Sequence, residues 1–379
     1  MLRSRLLAPA GTFLRSCKTT GPPTRSPCSW ASALGPSSDA LKIAAGLVGF
    51  LGFDAFVRWA IDVGGLHLLP SQICSMLSAF GGFSLAHALA PSAASQAHQA
   101  LMPAVGWVGR WLPVFLVPVQ VTLPTILFPG GAVEAAGLGL PGHICFLANG
   151  VATICGAAAM AFARGESYSQ VVKRDYLVGA AGPPGTGDML LWCLGPALVS
   201  TGVQMFQYRS RIAALSRVLF LTCGAVSLCN VLGTVIAGPL LGVSPEVTLA
   251  ATMRCVTIPM ALPTYARLCD ASGAENNVAL VALCAGVSGF IGFGFSQRFL
   301  SSAICGSTAD PVARGIATGA AAHALGAACL VATEPEAFVW GMLSMAVSGV
   351  ASAAWICACQ PLRELLVSLA YRNASGRDA

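Results

Sequence analysis

Arg254 stands inside a long apolar run, with Thr257, Pro259 and Pro263 close behind it. A charge at membrane depth costs on the order of 3 kcal/mol or more, so it marks a functional site by default. A guanidinium matches a carboxylate through two parallel hydrogen bonds, and Thr257 adds a hydroxyl for a neighbouring oxygen. Pro259 has no N–H and clashes one turn back, which predicts a helix break there. Broken helices at mid-membrane are how transporters expose backbone groups to a substrate. The competing reading is structural: Arg254 reaches an interface or pairs with Glu246.

His323 lies in the string ATGAAAHALGAA, residues 317–328, among small residues including Gly319 and Gly326. It reads either as a satisfied core histidine or as a substrate or proton site, since an unperturbed imidazole titrates near pH 6.5. Glu334 and Glu336 precede the last apolar run, as membrane-edge charges or as an ion-coupling carboxylate, Glu336 being the candidate. Gly315-x-x-x-Gly319 also fits plain close helix packing. The two segments share a plan: a polar onset (Ser244-Pro245-Glu246; Asp310-Pro311), a short helix, then a polar residue and a break. This predicts an internal repeat whose breaks meet.

The stretch GPPGTGDM, residues 182–189, comes close to a phosphate-binding loop. That loop needs a Lys followed by Ser or Thr, after a buried strand. Asp188 and Met189 hold those places, so Gly and Pro here make turns. No HExxH, no GxSxG and no intramembrane carboxylate pair occurs, so no catalytic site is expected. The fifteen Cys are scattered without a CxxC pair, which suits small buried hydrophobes and no metal site. No cofactor is expected.

The elements that must position these residues are helices in lipid. The chain is 55% hydrophobic and 9% charged, against about 25% charged in soluble domains. The net charge of +6 is dispersed, which argues against nucleic acid as a partner. Apolar runs at 41–60, 68–90, 105–127, 138–163, 189–207, 213–241, 246–268, 276–304, 311–332 and 337–359 predict an all-α polytopic membrane protein. It would have about ten transmembrane helices, with broken helices in the C-terminal half. The third run carries Pro113, Pro118 and Pro124 and reads as broken or re-entrant. In the first, Asp54 and Arg58 are spaced to neutralise each other on one helix face. Residues 1–37 are Arg-rich and acid-free, the pattern of an organelle transit peptide.

The strings SPEVTLAATMRCVTIPMAL (244–262), RGIATGAAAHALGAA (314–328) and EPEAFVWGMLSMAVSGV (334–350) resemble the LrgB family of membrane proteins, as does GPALVSTGVQMFQYRSRI (195–212). LPSQICSML (69–77) and LPVFLVPVQV (112–121) are similar to segments of LrgA. Plants and algae fuse the two behind a transit peptide. The resemblance implies a transit peptide at 1–37, an LrgA-like half at 38–163, a polar linker at 164–188, an LrgB-like domain at 189–369 and a polar tail at 370–379. It implies a non-enzymatic secondary transporter of glycolate and glycerate, with Arg254, Thr257, Pro259, Gly319, His323 and Gly326 at the substrate. His323 and Glu336 are the candidates for proton coupling. The family's Lys is Arg254 here, which never deprotonates and so cannot relay protons. The implied setting is a lipid bilayer, the chloroplast inner envelope first and the mitochondrial inner membrane second, with a homo-oligomer left open. A holin-like pore, the role of bacterial relatives, is the alternative.

Overall fold

Apolar sequence with few charges satisfies its backbone in lipid only through helices or closed barrels, and the computed structural model is helical. It describes residues 37–65, 70–115, 141–178, 182–306, 308–331 and 333–372, with no strand among them. The longer helices are α1 (Ser37–Gly64), α2 (Ser71–Leu89), α3 (Pro91–Phe115), α4 (Pro141–Arg164), α5 (Thr186–Met205), α6 (Arg209–Leu240), α7 (Pro245–Ala251), α8 (Ile258–Ser272), α9 (Val278–Leu300), α10 (Pro311–Ala327), α11 (Pro335–Ala358) and α12 (Gln360–Tyr371). The transit-peptide reading of residues 1–37 lies outside the described residues but for the first residue of α1, and so do Pro118 and Pro124. Contacts divide the chain after Leu41. The first unit's described part is only the start of α1, and everything below concerns the second.

Among the described residues, four helical segments are long and apolar enough to cross a membrane: Ala40–Gly64, Thr186–Leu240, Leu280–Leu300 and Pro335–Ala358. The count of about ten spans is not reproduced among the described residues: the runs at 105–127 and 138–163 lie partly outside them, and others are divided or merged. The run at 246–268 divides into α7 and α8, and that at 311–332 is interrupted inside α10, so neither makes a full span. Conversely, the runs at 189–207 and 213–241 form one apolar stretch of 55 residues. At 1.5 Å per residue it is about 80 Å long, far more than the roughly 30 Å of a hydrocarbon core. A 3₁₀ turn at Phe206–Tyr208 divides it. Beyond the turn the partners change: α5 packs on α2 and α3, whereas α6 packs on α7, α11 and α12.

α11 is the central helix. Some 72% of its apolar window is buried, against 22–28% for the other three spans. It lies on α10 through small residues. A methyl placed on Gly315 would overlap the Ala337 carbonyl, and one on Gly319 the Gly341 carbonyl and Ser344 Oγ. Trp340, Phe338 and Tyr265 are fully enclosed. Phe162, Leu221 and Phe295 face outward, as suits contact with lipid.

The polar stretch before α5 has its own structure. Ser167 caps a helical turn at Tyr168–Val171 in a reciprocal capping box with Gln170. Asp188 Oδ2 accepts from the N–H groups of Gly185 (3.0 Å) and Val178 (2.8 Å). The chain's own carboxylate thus occupies amides that a phosphate would take in a nucleotide loop. A side chain at Gly187 would collide with the Tyr176 ring, so glycine serves packing here.

Candidate functional site

The site is built on two interrupted helices. Ser244 Oγ accepts from Val247 N–H at the start of α7, with Pro245 in the first turn. Asp310 Oδ2 accepts from Ala313 N–H at the start of α10, with Pro311 in the same place. Both starts use a polar cap followed by a proline that has no N–H to leave unpaired.

α7 stops at Ala251 and the chain turns through 252–257 before α8. Pro259 lies in the first turn of α8, where a missing N–H costs nothing. The break expected at Pro259 therefore falls just upstream of it. The second break lies within α10, at Ala322 (φ −136°, ψ 20°) and His323 (φ 45°, ψ −152°). Among the described residues His323 is the one non-glycine with positive φ. Such backbone costs about 1–3 kcal/mol and persists only where the surroundings over-determine it. The imidazole supplies part of that determination. Its Nε2 faces the Ala285 carbonyl at 2.9 Å and must carry the proton, while Nδ1 accepts from Leu325 N–H at 3.4 Å. Both nitrogens of a neutral ring are thus engaged with backbone. α9 makes the seat. A side chain at Gly289 would run into the His323 ring, and one at Gly292 into Ala322. Gly326 is close-packed against Ala322 in the same way.

The breaks touch. Cys255 Sγ donates to the Ala321 carbonyl at 2.7 Å, and Ser288 Oγ donates to the same oxygen at 3.1 Å. An interrupted helix leaves carbonyls without an i+4 partner, and here the other interrupted helix supplies one. Just beyond this contact, Thr257 and Ala324, at the starts of the two resumed helices, line one cavity of about 120 Å³. Gln72 of α2, Leu112 of α3, Leu194 of α5 and Met345 of α11 complete much of its wall. The Thr257 hydroxyl is shielded from solvent and has no hydrogen-bond partner. A buried hydroxyl left so costs on the order of 1–3 kcal/mol. The cavity has room for a molecule of a few heavy atoms.

Arg254 is not in that wall. Its guanidinium donates to Asn230 and Thr234 of α6, and to the Ala251 carbonyl at 3.2 Å. The alternative pairing with Glu246 is not what the structure shows. All the hydrogen-bond partners of Arg254 among the described residues are neutral, so its charge faces no carboxylate there. Glu336 is ion-paired with Arg211, which also reaches Asp310 at 3.4 Å. Glu334 holds Arg314 through both oxygens, at 2.6 and 2.7 Å. Arg314 is only 6% exposed and donates further to Ser301 Oγ and the Thr308 carbonyl. The site residues thus separate into three places: Thr257 at the cavity, Arg254 beside it toward α6, and Gly319, Gly326 and His323 in the packing of α10. Sequence reasoning missed Arg314, Asn230, Ser288 and Gln72. Only Arg314 carried a signal, a charge inside a run of small residues.

Residues 184–362, which contain both breaks, match the LrgB-like family. This part of the chain is similar to the LrgB-like family. Plastidal glycolate/glycerate translocator 1, chloroplastic, of Arabidopsis thaliana is 29% identical over 255 residues, or 66% of this chain and 48% of that protein. The chain thus matches about half the length of that curated relative. No solved structure matches the chain. The matched region begins within the GPPGTGDM turn and includes α5, the helix that packs on α2 and α3. With four apolar segments among the described residues long enough to span a bilayer, the chain is a helical membrane protein.

Proposed function

We propose that the protein is a secondary transporter of small 2-hydroxy carboxylates, glycolate and glycerate, across an organelle inner membrane. The chloroplast inner envelope is the favoured membrane, as in photorespiratory exchange. One observation carries the reading: the resumed starts of two interrupted helices, at Thr257 and Ala324, line one small cavity. Helix starts present N–H groups and a partial positive charge, which suit an anion. The Arg254 cation, held only by neutral groups, lies three residues from Thr257 and adds a full positive charge. In this reading Thr257 bonds the 2-hydroxyl and Arg254 attracts the carboxylate. Pro259 stiffens the start of α8, and Gly319, His323 and Gly326 hold the second break in place. Proton coupling, if the carrier uses it, would fall to His323 or Glu336. The substrate class comes from the resemblance to the translocator, and the cavity's size agrees with it.

The test is uptake of labelled glycolate into vesicles containing the purified full-length chain. Saturable uptake, accelerated by glycolate or glycerate on the opposite side, supports the carrier. Rapid, non-saturable leak of unrelated solutes would replace it with a pore.

A further inference from the structure

A second cavity, lined by different residues, lies along the same α2, α3 and α5. It is a groove of about 490 Å³ between α1, α2, α3 and α5. Its floor is small and apolar, with Gly49, Ser78, Gly82, Ala86, Ala90 and Ala94 among its residues. Ser78 to Ala90 spans about 18 Å along α2, the length of a lipid tail rather than of a hydroxy acid.

One end of the groove carries charge. Phe83 lines the groove, and its ring packs on Phe206 at 5.7 Å. Arg209 lies over the other part of that aromatic cluster, 4.2 Å from the Phe206 ring centre. Arg209 donates to His87 Nε2 (3.0 Å) and to the Phe206 carbonyl (3.1 Å). None of these is a carboxylate. Because Nε2 accepts from Arg209, the proton of a neutral His87 sits on Nδ1. That atom is shielded and has no hydrogen-bond partner. A cation whose hydrogen-bond partners among the described residues are all neutral sits where α2 ends and the polar sequence Gln207–Arg211 begins. Polar sequence between two apolar helices belongs at a membrane surface, where basic pockets between helices take lipid head groups.

We infer that this groove binds one anionic glycerophospholipid, with a tail along α2 and α3 and its phosphate on Arg209. A tail in the groove needs only apolar walls. The choice of an anionic head rests on Arg209, since a zwitterionic lipid brings no net charge to offset it.

The experiment is native mass spectrometry of the full chain in detergent with added phosphatidylglycerol or phosphatidylcholine. The expected wild-type result is one retained lipid, with phosphatidylglycerol preferred about fivefold, the worth of one cation near an anionic lipid. Arg209→Gln should still retain lipid but lose the preference. Gly82→Leu should lose the retained lipid, because a side chain there meets no neighbouring atom and grows into the groove. Equal retention of both lipids by the wild type, or unchanged retention by Gly82→Leu, would overturn the assignment. So would a wild-type dimer that excludes lipid and separates in Gly82→Leu, because the groove would then be an interface between copies. Uptake of glycolate by Arg209→Gln tests the transport reading separately, since Arg209 plays no part in it.

Discussion

The Cys255 thiol and the Ala321 carbonyl, 66 residues apart in sequence, form a 2.7 Å hydrogen bond that joins the two helix breaks of the region similar to the LrgB-like family. The contact makes the breaks one unit. Whatever moves the 252–257 turn also pulls on the residue before the strained pair Ala322–His323. Cys255→Ala should leave the Ala321 carbonyl to Ser288 alone. We expect destabilisation of about 1 kcal/mol, read as a lower detergent melting temperature. Cys255→Ser, which still donates, should recover most of it.

Arg254→Gln should reduce glycolate uptake to background. A neutral amide forfeits the charge-assisted bonds that offset taking a carboxylate out of water. Arg254→Lys should keep partial uptake, because a point charge still attracts an anion without the guanidinium's paired geometry. Uptake by Arg254→Gln equal to wild type at subsaturating glycolate, with matched protein levels, would remove Arg254 from the substrate site.

His323 separates two demands, a backbone at φ 45° and a ring bonded to Ala285 and Leu325. His323→Gly meets the first freely but loses the ring. His323→Ala loses the ring and keeps the strain. The expected order of thermal stability is wild type, then Gly, then Ala, with the last about 1–3 kcal/mol below wild type. His323→Gln addresses coupling. Retained substrate exchange with a lost response to a pH gradient would assign the titrating role to His323, and an intact response would leave it structural.

Gly319→Ala should be costly although it adds one methyl. The added carbon would overlap the Gly341 carbonyl and Ser344 Oγ, so α10 and α11 must separate. Overpacking of this kind costs about 1–3 kcal/mol. Gly294→Ala is the control, since a methyl there meets nothing and favours helix. Melting curves of the two variants should move in opposite directions.

The polar segment before α5 predicts a pH effect. Glu166 bonds Arg174 at 2.7 Å, and Asp175 bonds Arg174 at 3.0 Å and Arg164 at 2.7 Å. The hydrogen bond to Arg174 is the main cause holding each carboxyl below its ordinary range. A depressed folded value means the stabilisation is fully present above the unfolded values, near pH 4. It is lost as pH falls through the folded ones. Amide exchange across 164–178 should therefore be more protected at pH 6 than at pH 3, after correction for intrinsic rates. The effect should be small and salt-sensitive, because the pairs are exposed.

The primary sequence alone determined the solvent. Nine percent charge over 379 residues leaves few structures but helices in lipid. It also marked the two breaks, through Pro259 and the glycines around His323, because backbone rules act locally. Asp54 and Arg58 were legible for the same reason: their i, i+4 pairing is intrahelical and appears at 2.8 Å. The tertiary structure decided the partners. Arg254 turns to Asn230 and Thr234 rather than to Glu246, Glu336 meets Arg211, and Gln72 joins a wall otherwise made in part by residues more than 180 positions away. None of this is periodic. A helix apolar on every side carries no stripe to say which face packs. In lipid that choice falls to small residues and scattered polar groups, whose partners come together only when the chain has folded.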